Sequence, residues 1–128
     1  MSNPYREMEI RTATPLRLIV RLYERALRHL REAGEHHAAA RVKPRGEALA
    51  RALAIISELR NALDFEQGGE VARNLDALYA YSIDRLIDTN LEADGKGIGE
   101  VIAILEPLHE SWAEIERRPP EGVGETSP

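Results

Sequence analysis

Apolar residues in this chain recur every three to four positions through four stretches of about twenty residues, and that period constrains the fold most. The stretches are separated by turn-forming clusters at Thr12–Pro15, Lys43–Gly46, Gln67–Gly69, Asp94–Gly97 and Pro119–Pro120. No segment of useful length alternates with period 2, so strands are not expected.

The first helix has a sharp predicted start. The Thr14 hydroxyl can accept from an orphan N–H at the N-cap, and Pro15 suits the first helical position. Its core face is Leu16, Ile19, Val20, Tyr23, Ala26, Leu27 and Leu30, and its end is expected near Gly34. Leu18 and Leu22 fall outside that face and widen the apolar arc to about 200°. The second helix is expected from Pro44 to Leu63, with Leu49, Ala52, Leu53, Ile56, Leu59 and Leu63 inward. The third runs from about Glu70 to Leu91 over Val71, Leu75, Leu78, Tyr79, Ser82 and Leu86, with Ile83 and Ile87 spreading the stripe one way and Tyr81 the other. The fourth begins near Ile98 and carries Val101, Ile102, Leu105, Leu108, Trp112 and Ile115. Pro107 removes a hydrogen bond to Ala103 within it, which predicts a kink or a break into a short fifth helix.

Helices of this length are each ~30 Å long, and short connections between matched helices favour antiparallel neighbours. The fold class is all-α, an antiparallel up-down-up-down four-helix bundle over residues 14–116. A mobile N-terminal arm, residues 1–13, and a disordered Pro/Gly-containing tail, residues 117–128, flank it.

Function classes fall away on composition. The chain has 128 residues, no cysteine and a formal net charge of −5, which excludes disulfides and thiolate sites and disfavours nucleic acid as a partner. No apolar run approaches the ~18 residues of a membrane span, so no membrane insertion is expected, and no secretory signal is visible; the cytoplasm is the simplest compartment. A bundle could house a carboxylate-bridged metal pair, but that chemistry needs two Glu-x-x-His spacings and inward carboxylates from the other helices. Only Glu106–His109 has the spacing, and Pro107 lies inside it. His36 and His37 point ~100° apart and do not converge on one ion. No nucleophile elbow or phosphate loop is present, so no enzyme, cofactor or metal is expected.

What remains is apolar surface beyond the core seams, a feature of partner grooves. Tyr5 shortly before Thr12–Pro15, Leu22-Tyr23 in the first helix, the run Asn74–Asn90 in the third, and Leu105, Leu108 and Trp112 in the fourth together resemble the flagellar secretion chaperone family, FliS. The resemblance spans about residues 5–116, and Asn74–Asn90 is its most specific stretch. Pro107, the loop Gly95–Gly99 and the tail depart from the family pattern.

The resemblance implies a cytoplasmic, non-enzymatic chaperone that holds the C-terminal segment of flagellin, wrapped over the bundle in apolar grooves, and keeps it from polymerising. It further implies docking of the complex on a flagellar export-gate component of the type III apparatus, and an N-terminal cap to which Tyr5 belongs. Contact is expected on Leu18, Leu22, Tyr81, Ile83 and Ile87, with Tyr5 and Ile10 near the same surface, in a monomer or weak homodimer. The alternative is a small bundle adaptor or regulator for a different helical cargo.

Overall fold

The structure, a computed structural model, describes residues 15–118. Tyr5, Ile10, Thr14, the arm over residues 1–13 and the tail beyond residue 118 lie outside the described residues. Four helices make up the rest: α1 (Leu16–Ala38), α2 (Val42–Asn61), α3 (Phe65–Glu92) and α4 (Lys96–Arg117). Each packs against its neighbours in chain order and α4 closes back on α1, which makes an up-down-up-down ring.

The helix ends follow local chemistry. Pro15 sits at the N-cap of α1, one position ahead of the expected placement, and its carbonyl accepts from Leu18 N at 2.9 Å. Helix α1 continues past Gly34 to Ala38, and Gly34 lies against the start of α4, where a Cβ would stand 3.9 Å from Ile98 Cγ2. A glycine inside a helix costs about 1 kcal/mol, which tertiary packing overrides here. The chain then turns through Ala40, held at φ 59°. Asp64 caps α3 by accepting from Gln67 N at 3.1 Å. Gly69, at φ 54° and ψ −127°, interrupts the first turn, so the regular part of α3 starts at Glu70.

Helix α4 runs through Pro107 without a break, and the expected fifth helix is absent among the described residues. Pro107 and Ala103 both lie on the exposed side. The Ala103 carbonyl that loses its N–H partner therefore faces water, which can satisfy it, while Leu105 and Trp112 anchor the helix on both sides.

The core is continuous from Leu16 to Trp112, with Tyr23, Leu30, Leu49, Ile56, Tyr79, Leu86 and Leu105 among its most enclosed side chains. Each large apolar side chain so buried contributes ~1.5–3 kcal/mol. Small residues close the packing, with Ala33, Ala48, Ala52 and Ala72 buried to 2 % exposure or less. Across the diagonal, the Tyr23 and Tyr79 hydroxyls meet at 2.5 Å, and Trp112 also bonds the Tyr23 hydroxyl.

Candidate functional site

Apolar surface is left uncovered in three places, set by how α3 meets its two neighbours. On one flank, Arg60 of α2 bonds Asp76 of α3 at 2.6 Å, and Gly46 of α2 lies against Asn90. Leu53 is seven residues from both Arg60 and Gly46, and Ile83 is seven from both Asp76 and Asn90. Residues seven apart share a helix face. The two bracketing contacts therefore place Leu53 opposite Ile83 on the α2–α3 seam. Both are partly buried against the core, and above them Ile87 (44 % exposed), Leu91 and Val42 run out towards the α2 amino end. This is an apolar groove about two turns long.

The other flank of α3 faces α4. Tyr81 lies about 120° round the helix from Ile87. Its hydroxyl donates to Glu100 of α4 at 3.1 Å, and Arg85 Nε donates to the same oxygen at 2.9 Å. The Arg85 guanidinium, with the Tyr81 hydroxyl, holds the Glu100 carboxyl below its usual range; the same bond raises Tyr81. Nearer the other end of this seam, Val71, Asn74, Leu75, Leu78, Leu108, Ser111 and Trp112 line a cleft of about 220 Å³.

The third place is the start of α1. Leu18 is 45 % exposed, whereas Leu22 is half-buried against the core. Both lie on the side turned from α4, since Glu24, which bonds His109 of α4, is about 120° and 160° round the helix from them.

The residues expected to share one contact thus occupy separate faces: Ile83 and Ile87 on the α2–α3 groove, Tyr81 on the α3–α4 seam, Leu18 and Leu22 at the start of α1 on the side turned from α4. Leu78, expected in the core, instead borders the α3–α4 cleft and is 36 % exposed, while Trp112 is buried in the core as expected and also floors that cleft. Sequence periodicity fixes the angle of Leu78 on its helix but not how closely α4 approaches it.

The polar side chains are paired structurally. Glu106 bonds Arg31, and His109 Nε2 lies 3.3 Å from Glu24, so the spaced Glu106/His109 pair serves the α1–α4 seam. Among the described residues, no three His, Asp or Glu side chains converge as a metal site would require. At the α3–α4 turn, Thr89 Oγ1 donates to Asp94 Oδ1 at 2.7 Å and accepts from Gly97 N at 3.0 Å. Those bonds hold α4 so close to α3 that a Cβ on Gly97 would meet the Arg85 carbonyl at 2.8 Å.

Among the described residues, no helix is long and apolar enough to cross a membrane. A family model described as "Flagellar protein FliS" matches residues 1–119. The chain is 38 % identical over 106 residues to flagellar secretion chaperone FliSB of Pseudomonas aeruginosa, covering 83 % of this chain and 84 % of that protein. It is 39 % identical over 110 residues to flagellar secretion chaperone FliS of Salmonella typhimurium, covering 85 % and 82 %. A more distant relative of the same name from Bacillus subtilis is 28 % identical but spans 97 % of this chain. With uncovered apolar faces on an otherwise closed bundle and a match of this extent, the chain belongs to the FliS family of flagellar secretion chaperones.

Proposed function

We propose that this protein works in the cytoplasm as a flagellin chaperone: it binds the C-terminal segment of flagellin, keeps it from polymerising, and presents the complex to a flagellar export-gate component. The observation that carries the reading is the placement of apolar side chains on both flanks of α3 and at the start of α1. One straight helix cannot cover surfaces turned about 120° apart on α3. A segment that is disordered alone and folds as it wraps the bundle can cover them all. The names of the relatives, flagellar secretion chaperones, support a flagellar cargo. Masking the segment would block polymerisation sterically, with no chemistry required of the chaperone.

The test is isothermal titration of this protein with flagellin from the same genome, intact and lacking its C-terminal segment. Binding of the intact protein and its loss on truncation is the expected result. Binding that survives truncation would move the contact elsewhere on flagellin. No binding at tens of micromolar would leave the adaptor for a different helical cargo as the better account.

A further inference from the structure

The α2–α3 groove is electrostatically polar along its length, and its two ends differ in sign. At the Leu53/Ile83 end, Arg60 is neutralised by Asp76, and Asp84 on the rim forms no ion pair among the described residues. At the Val42/Leu91 end, the amino end of α2 presents exposed Arg41 and Lys43, and the first turn of that helix holds no acidic residue. Beneath them Arg45 is buried to 7 % exposure without a carboxylate partner among the described residues. Its contacts are the His37 ring at 3.3 Å and the Asn90 carbonyl at 3.5 Å, and its Nε has no hydrogen-bond partner. Arg41 Nε donates to a ring nitrogen, His36 Nδ1, at 3.0 Å, and forms no ion pair among the described residues. Two acids flank this end: Asp88 lies about 100° round α3 from Ile87, and Glu47 follows Lys43 by one turn of α2, and neither forms an ion pair among the described residues. Glu92 pairs with Arg85.

Resting on the reading above, we infer that this groove takes the last two to three turns of the flagellin chain as a helix parallel to α3, with the free terminal carboxylate seated at Arg41 and Lys43. A bound helix carries its positive pole at its N-terminus and its negative pole at its C-terminus. The Asp84 end suits the first and the Arg41/Lys43 end the second. A chain-terminal carboxylate adds a full negative charge beside Arg41, Lys43 and Arg45, none of which is in an ion pair among the described residues, and charge-assisted bonds of that kind are the strong ones. Ile83, Ile87, Leu91, Leu53 and Val42 supply the apolar floor and walls for the one face the helix buries. Gly46, beside Asn90, lowers the α2 wall at the exit.

The experiment uses synthetic peptides of the last ~20 residues of flagellin from the same genome, ~30 Å if helical, one with a free C-terminal carboxylate and one amidated. Both are titrated by fluorescence anisotropy into the full-length chaperone. The acid is expected to bind about five-fold or more tightly than the amide. Arg41→Ala with Lys43→Ala should erase that difference by weakening the acid far more than the amide; both positions are exposed, and circular dichroism checks the fold. A nitroxide on the C-terminal residue of the peptide should broaden the amide resonances of Val42 and Leu91, not those of Leu53. Equal affinity of acid and amide, or broadening at the Leu53 end, overturns the inference. If intact flagellin binds and neither peptide does, the terminal seat fails and the chaperone reading stands. If intact flagellin does not bind either, the chaperone reading itself has failed.

Discussion

The Tyr23 hydroxyl meets the Tyr79 hydroxyl at 2.5 Å across the diagonal of the bundle, between two helices that are not ring neighbours. The rings are 6.4 Å apart and tilted by 56°, and both side chains are 2 % exposed or less. Burial pushes the Tyr23 phenol up to about 12, with the Tyr79 and Trp112 bonds acting the other way, and burial raises Tyr79 well above its ordinary value. The folded state therefore favours neutral tyrosines. Their contribution to stability is fully present below the unfolded value near 10; that of Tyr23 is lost as pH rises through about 12, and that of Tyr79 is lost in the same direction. Thermal melts should hold steady to about pH 9 and fall steeply above 10, by up to ~1.4 kcal/mol per pH unit for each tyrosine. Tyr79→Phe should lower stability by ~1–2 kcal/mol at neutral pH and flatten the alkaline decline. An unchanged alkaline slope in Tyr79→Phe would show that other groups set it.

Two non-glycine residues hold the left-handed conformation where helices end, Ala40 after α1 and Ala93 after α3, each at φ 59°. Glycine adopts that region without the steric penalty of a Cβ. Ala93→Gly is expected to stabilise the protein by ~0.5–1 kcal/mol in urea denaturation. Gly97→Ala should act oppositely, because its Cβ would lie 2.8 Å from the Arg85 carbonyl and from Thr89 Cβ. Forcing α3 and α4 apart there should cost ~1–3 kcal/mol.

Pro107 separates what the sequence says about a helix from what the bundle imposes on it. A proline at an exposed interior position still costs up to about 3 kcal/mol. Pro107→Ala is therefore expected to raise the urea midpoint, by ~1–3 kcal/mol in stability, without changing helical circular dichroism by more than a turn. A loss of stability would mean that the proline shapes packing which alanine cannot reproduce.

The four helices, their order and most of their inward residues were legible because amphipathic period and turn chemistry are local signals. Tyr79, Leu86, Leu105 and Trp112 are buried where the period puts them. Buried Ala33, Ala48 and Ala72 carry too weak a hydrophobic signal to stand out, and their burial reflects how closely the helices approach. Arg45 reads as a solvated cation in sequence yet is covered at the bundle end, where its aliphatic stem packs while its guanidinium reaches Asn90. For the candidate contact residues, the period marks Tyr81 and Ile87 as lying beyond the core seam. It does not reveal that α2 and α4 divide them between two faces, because that depends on which helix stands on which side.

That division makes the central expectation sharper than a single groove would. Leu18, Tyr81 and Ile87 are each about half exposed, so truncating any of them removes little buried surface. Leu18→Ala and Ile87→Ala are expected to keep stability within ~0.5 kcal/mol of the parent. If these side chains anchor the cargo, each should weaken flagellin binding by up to ~2 kcal/mol. Leu22→Ala and Ile83→Ala differ, since both side chains pack partly on the core; they should lower melting temperature as well as affinity. Because Ile87 and Leu18 stand on different faces, with no shared neighbours, their effects on binding should add in the double variant if one wrapped segment touches both. Titration calorimetry beside thermal melting measures both quantities for each variant. Binding lost in Ile87→Ala but intact in Leu18→Ala would confine the cargo to the α3 side of the bundle, and binding intact in both would remove these faces from the contact.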